Sequence, residues 1–249
     1  MTYFEGFIVA VPEGNKDAFG KHANELAPQL RNCGVRRQVE AWGTDVPEGK
    51  VTDFGKAVAA TPGERPVFAW FEYPDRQARD AARDAMMKNP NMTEMSAEVP
   101  FDAKRMIFGG FQAVVEDGSP GGSYVDGIVV PVPTNRREDY ARLAGQNAKV
   151  FREYGATRVI ETIGDDVPHG KVTDFYRAVL AEEGETVAFS FIEWPDKARR
   201  DEAWQAIMQD HRMQHGGDIF DGKRMFWGGF EVIVDSARQE QAGTIPVTA

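Results

Sequence analysis

Asp45-Val-Pro-Glu-Gly-Lys-Val-Thr-Asp-Phe54 is matched further along the chain by Asp166-Val-Pro-His-Gly-Lys-Val-Thr-Asp-Phe175, an offset of 121 residues (166 − 45). Ten positions with one difference, Glu48 against His169, mark an internal duplication. The offset holds from the N-terminal run to Met92 and Met213, then drops to 119, where Phe220-Asp-Gly-Lys-Arg-Met-Phe-Trp-Gly-Gly-Phe230 matches Phe101 to Phe111. The chain therefore divides into a first repeat over 1–117, a linker of turn-forming residues over 118–123, a second repeat over 124–235 and a polar tail over 236–249.

Within the first repeat, the apolar run from Tyr3 to Pro12 suits a strand covered on most of its length. Phe19, Ala23, Leu26, Leu30 and Cys33 then follow helical spacing up to Gly34, with Pro28 expected to kink that helix. Residues 35–42 read as a second strand, 66–73 as a third, and 101–115 as a fourth. Pro74 opens a second helix with Ala78, Ala82, Ala85 and Met86 on its inner face. In the second repeat Thr134 is the expected cap of the corresponding first helix, and Lys149 stands where Pro28 was. The order β-α-β-β-α-β, written twice, predicts an α+β fold of two ferredoxin-like repeats. A lone four-stranded sheet leaves edges to cover, so the repeats are expected to pair with each other as a pseudo-dimer within one chain.

Composition narrows the function. The chain is 42% hydrophobic and 27% charged with a net charge of −10, and both halves are acidic. Clustered Lys and Arg are what phosphate neutralisation requires, so nucleic acid is not an expected partner. No apolar run approaches the roughly 20 residues that span a bilayer, which argues against a membrane partner. Cys33 is the single cysteine, so an intrachain disulfide is excluded. No basic segment precedes the first apolar run, and a cytoplasmic location is expected.

Four motifs carry a resemblance to a known family: Asp126-Gly-Ile-Val-Val-Pro-Val-Pro133, the loop from Asp165 to Phe175, Glu193-Trp-Pro-Asp-Lys-Ala-Arg-Arg-Asp201, and Phe220 to Val232. Together they resemble the YbaA-like family, the domain of unknown function numbered 1428, over nearly the whole of both repeats. The resemblance implies a dimeric α/β-barrel, with ligand pockets between the sheet and helices of each unit. It implies no particular chemistry, cofactor or metal.

Polar residues present in both copies are the candidate site. Glu72 and Glu193 lie two residues beyond Trp70 and Phe191, hence on the same strand face as large aromatics. A carboxylate among apolar neighbours has its charged form disfavoured, which is how a general acid is made; alternatively each pairs with an arginine. Arg105 and Arg224, read as strand residues, could grip a substrate carboxylate in bidentate fashion or pair with Asp102 and Asp221. Arg37/Arg158 and Glu40/Glu161 fall on opposite faces of the second strand, which places one of each pair toward solvent. In the repeated loop, Asp45, Thr52 and Asp53, with Asp166, Thr173 and Asp174, could bond a ligand at a barrel mouth, but Thr52 or Asp53 also suits a helix cap before Phe54. His211 and His215 have metal-pair spacing without the intervening glutamate of a zinc helix, and an exposed loop is the better reading. Cys33 reads as a small buried hydrophobe. Gly109-Gly110 and Gly228-Gly229 mark a bulge or a close approach.

Two functions stay open. One is binding of a small organic molecule between sheet and helices, with cofactor-independent acid–base chemistry. The other is a non-catalytic binding or assembly module with a solid core, and further homo-oligomerisation is open in either case. Differences at Glu48/His169, Thr44/Asp165 and Pro28/Lys149 predict that the two halves are unequal.

Overall fold

The computed structural model of the chain describes residues 1–97, 99–213 and 217–238. The first half runs β1 (Tyr3–Pro12), α1 (Lys16–Cys33), β2 (Arg37–Asp45), the single turn α2 (Phe54–Ala57), β3 (Glu64–Tyr73), α3 (Arg76–Lys88), α4 (Pro90–Ala97) and β4 (Ile107–Gly118). The second half repeats it as β5 (Tyr124–Pro133), α5 (Arg137–Glu153), β6 (Arg158–Asp166), α6 (Phe175–Ala178), β7 (Glu185–Trp194), α7 (Lys197–Ile207) and β8 (Phe226–Asp235). Among the described residues no helix is long and apolar enough to cross a membrane.

All eight strands close into one barrel in the order β1-β3-β2-β8-β5-β7-β6-β4. Each half alone would be an open sheet, with β2 and β4 at the edges of the first and β6 and β8 at those of the second. The barrel removes those edges by pairing β2 with β8 and β4 with β6, both antiparallel and both with register shifts. The two ferredoxin-like repeats thus pair inside one chain, as the duplication predicts.

Several local expectations are corrected. β2 begins at Arg37 and continues to Asp45, and β4 begins at Ile107, because residues 103–105 form a 3-10 turn ahead of it. Arg105 is therefore a turn residue, as is Arg224 ahead of β8. The helix α1 runs without a break through Pro28 and ends on left-handed Gly34. Thr134 does not cap α5; its hydroxyl donates to Gly184 O, and a 3-10 turn precedes the helix.

The barrel interior is filled with aromatic rings. Phe68 and Phe189 stack at its centre, 4.3 Å apart and 3° from parallel, and Trp70 stacks on Phe191 at 4.1 Å. Each central ring lies on the other half's backbone, where a β-carbon at Gly6 or Gly127 would sit 2.9 Å or 2.8 Å from it. Phe54 and Phe175 close one end, delivered by the duplicated loop. Asp53 and Asp174 cap their single helical turns at 2.7 and 2.8 Å. Thr52 and Thr173 reach across the pseudo-two-fold axis to the carbonyls of Ala178 and Ala57, at 2.5 and 2.7 Å. In both halves the ten-residue motif thus bonds one half to the other.

The other end is plugged by charge. Arg37 binds Glu193 at 2.8 Å, Asp235 at 2.9 Å and Glu72 at 3.1 Å. Its counterpart Arg158 binds Glu72 at 2.8 Å and Glu116 at 2.7 Å. Both guanidiniums are buried, at 4% and 2% exposure, so each is costly to strip of its partners. Replacing Arg37 with Met should lower unfolding free energy by about 3–5 kcal/mol, because three carboxylates lose a partner. Arg65→Met, which breaks an exposed pair with Glu13, should cost less than about 1 kcal/mol. Urea denaturation of both variants checks this, and equal small losses would show that the plug does not hold the halves together.

Candidate functional site

The structure places most of the residues singled out in the sequence within the framework. Glu72 and Glu193 face the barrel interior and belong to the charged plug. Glu72 also accepts from Trp70 Nε1 at 2.9 Å, and Glu193 from the linker amide of Gly121 at 3.0 Å. Trp70 and Phe191 are fully enclosed in the core. Arg105 grips Glu64 at 2.7 Å through both terminal nitrogens, and Arg224 holds Glu185 at 2.6 and 2.8 Å. Each also binds its own turn through Asp102 or Asp221, so these arginines fasten the turns before β4 and β8. Asp45 pairs with Arg200 at 2.7 Å and Asp166 with Arg79 at 2.6 Å, again across the two halves. The glycine pairs make room for tyrosine: a β-carbon at Gly110 or Gly229 would lie 2.4 or 2.5 Å from the hydroxyl of Tyr3 or Tyr124. Cys33 is half-buried, His211 is exposed, and His215 lies outside the described residues.

The group that stands apart is on the outer face of the sheet, under α1. Alternation along β2 turns Arg37, Val39 and Ala41 inward and Gln38, Glu40 and Trp42 outward. Neither face meets solvent, because helices cover the outer one. Arg37, Glu40, Arg158 and Glu161 are all buried, contrary to the expected half-exposed strand. Glu40 is 7% exposed, and its cross-strand neighbours are Ala69 on β3 and Val234 on β8. Among the described residues it is held by one hydrogen bond, from Gln38 Nε2 at 3.0 Å. Burial pushes its carboxyl up to about 7, against the modest opposing pull of that bond. Gln38 also donates to Ala23 O on α1 at 3.3 Å, which leaves its buried Oε1 without a partner.

The second half seals the same positions. Glu161 accepts from Tyr140 at 2.7 Å, and the Tyr140 hydroxyl lies 3.3 Å from Ser190 Oγ. At the next outward pair, Asp126 accepts from Trp194 at 2.8 Å, Trp204 at 2.7 Å and Arg200 at 2.9 Å. Its counterpart Glu5 has only the longer bond from Tyr73 at 3.3 Å and Arg83 at 4.0 Å among the described residues. Desolvation raises the pKa of all three of these acids. In both pairs the first half holds its acid more loosely.

A groove of about 570 Å³ runs between α1 and β8, lined by Lys16, Asp17, Gly20, Lys21, Asn24 and Ile233 among others. A second depression of about 350 Å³ shares Lys16 and includes Trp42. Trp42 follows Glu40 on the outer face of β2, and Ile233 adjoins Glu40's β8 neighbour Val234, while Glu40 itself lines neither opening. On the other side of the pseudo-two-fold axis Gly145 replaces Asn24, and α5 seats on β4 with Val115 3.8 Å from that glycine's β-carbon position. Gln38 and Asn24 were not picked out from the sequence, and Glu40 was singled out only as one of a pair, one of which was expected to face solvent. The available signal was the contrast of Asn24 with Gly145 and of Gln38 with Val159, which reads as a site only once α1 is known to lie over β2.

This architecture, two ferredoxin-like sheets closed into one barrel with helices outside, is a dimeric α/β-barrel. Solved structures of that class align with nearly the whole chain. A "putative monooxygenase" of Fusobacterium nucleatum gives a TM-score of 0.60 at 10% identity, covering 94% of this chain and 93% of that one. An anthrone oxidase-like protein gives 0.56 at 10% identity, over 94% and 92% of the two chains. The chain belongs to the family described as a protein of unknown function, DUF1428, which it matches twice, over residues 2–103 and 123–222. The uncharacterized protein YbaA of Escherichia coli K12 is 49% identical over 117 residues, 47% of this chain and the full length of that protein.

Replacing Glu40 with Gln should change how stability depends on pH. Between the ordinary value of 4.5 and about 7, the unfolded chain has released this proton and the folded chain keeps it. Stability therefore falls as pH rises through that window and levels above it. The Gln variant lacks this contribution, so it should match the parent near pH 4 and exceed it at pH 8 by on the order of 3 kcal/mol. Urea midpoints across this range measure the difference, and parallel curves for the two proteins would contradict the assignment.

Proposed function

We propose that the protein binds a small organic molecule in the groove between α1 and β8, and that Glu40 serves there as the acid–base group of a cofactor-independent proton transfer. What carries this reading is a buried carboxyl that burial pushes up to about 7, held by one hydrogen bond among the described residues, on the strand face that α1 covers next to a groove of about 570 Å³. A carboxyl poised near neutral pH can give or take a proton with little driving-force penalty. The groove volume falls in the range of small-molecule sites. Solved relatives in fold described as monooxygenases and anthrone oxidase-like are in keeping with chemistry on small organic substrates. The second half, with its acids locked by Tyr140, Trp194, Trp204 and Arg200, is the scaffold in this reading. A cytoplasmic setting without nucleic-acid partners belongs to the same reading, resting on a net charge of −10 and one cysteine.

The filled barrel interior favours a second reading, a non-catalytic binding or assembly module, and the two separate experimentally. A fluorescence-melting screen of neutral fragments, followed by calorimetric titration of the hits, should give one site per chain. Affinity should change through an apparent pKa near 7, and Glu40→Gln should abolish that pH dependence. Two equal sites per chain, or binding indifferent to Glu40, would overturn the assignment.

A further inference from the structure

Seven large apolar side chains are exposed among the described residues, and three of them gather in one place. Met1, Met87, Met208 and Trp227 are scattered over the N-terminus, α3, the end of α7 and β8. Val51, Val172 and Leu180, at 45%, 52% and 51% exposure, all belong to the barrel end that Phe54 and Phe175 close. Val51 and Val172 precede the threonines that bond across the pseudo-two-fold axis. Leu180 lies two residues beyond Ala178, whose carbonyl accepts from Thr52. The repeated motif closes the barrel with Thr52, Asp53, Phe54 and their counterparts, and leaves Lys50-Val51 and Lys171-Val172 facing solvent in both copies.

Backbone strain marks the same face. Leu180 has φ +50°, in the left-handed region where a β-carbon is crowded and glycine is the usual occupant. Its counterpart Ala59 takes the same turn at +48°. The Leu180 carbonyl accepts from Arg224 Nη1 at 2.9 Å, which fixes the turn, while half of the side chain stands in solvent. Strain of this kind persists where a contact needs the residue.

The charged groups of the two loops, 46–63 and 167–184, fall into two sets. Asp53 pairs with Lys56 at 3.0 Å and Asp174 with Arg177 at 3.5 Å, and His169 lies 3.7 Å from Asp174. Lys50, Lys171, Glu48, Glu182 and Glu183 enter no ion pair among the described residues. Two lysines with three glutamates suit neither a nucleic acid nor an anionic bilayer, which would meet uncompensated acid. They match a surface that carries the same mixture.

We propose that this barrel end docks onto the same end of a second copy of the chain, with Val51, Val172 and Leu180 at the centre and the unpaired lysines of each copy against the glutamates of the other. A face with near-two-fold symmetry fits a partner of the same symmetry, and an isologous contact makes each pairing twice. Three apolar side chains make a small patch, so the dimer is reversible, with a dissociation constant in the micromolar range.

Sedimentation velocity of the full chain across micromolar concentrations tests this. The species should shift from 27.7 kDa toward twice that mass as concentration rises. Leu180→Gly and the double variant Val51→Ser/Val172→Ser should each raise the dissociation constant by about tenfold or more. Met87→Ser, on α3, should leave it unchanged. At concentrations where the chain is monomeric, Leu180→Gly should melt no lower than the parent, because glycine relieves the left-handed turn. A monomer at every concentration would overturn the proposal and leave the face to a partner of another sequence. A dimer that both variants form as tightly as the parent would also overturn it, since the contact would then lie elsewhere.

Discussion

Two seams between strands, β2 against β8 and β4 against β6, carry the rest of the structure. Without them each half is a four-stranded sheet with open edges and one face of large rings bared. With them, the inner face of the barrel is filled by rings from both halves, and helices cover much of the outer face. Much of what is unusual about the chain follows from this double coverage. Inward-facing charges cannot reach solvent, so Arg37, Arg158, Glu72 and Glu193 gather at one barrel end and neutralise one another. The opposite end is closed by the duplicated loops, whose threonines and aspartates bond across the axis.

Closure also explains why the halves have been free to diverge. The staples and the plug occupy both copies, because losing either would unseat a seam. The helix layer outside is under no such symmetry. There the second half carries Tyr140, Trp194 and Trp204 as donors to its buried acids and Gly145 where α5 seats closely. The first half keeps Asn24 at the helix–strand contact and leaves Glu40 and Gln38 with fewer partners. Buried polar groups that are incompletely satisfied are costly to a fold, and they persist where a ligand or a reaction needs them. The asymmetry is the physical reason to look for function on one side of the molecule.

The architecture was legible in the chain because a repeated ten-residue motif and two cycles of β-α-β-β-α-β leave few alternatives. The apolar runs of β1 and β5 pointed to covered strands, and Thr52 or Asp53 before Phe54 pointed to a cap, which Asp53 supplies. The site was less legible. Periodicity placed Glu40 opposite Arg37, but it could not say that both faces of β2 are buried, since that depends on a helix far away in sequence. Arg105 looked like a strand residue because Phe101-Asp-Ala-Lys-Arg-Met-Ile-Phe is apolar enough to pair, yet the chain turns there and hands the arginine to Glu64. Glu72 beside Trp70 suggested a general acid, and the arginines that neutralise it come from β2 and from the opposite half, at sequence separations no local pattern reveals.

The central claim is that the two repeats complete one another's sheet. Its most direct test is the solution mass of residues 122–235 produced alone, measured by sedimentation equilibrium. Those residues retain β5 to β8 with both edge strands unsatisfied, so the account predicts a folded homodimer that rebuilds an eight-stranded barrel from two identical halves. A stable, folded monomer would contradict it.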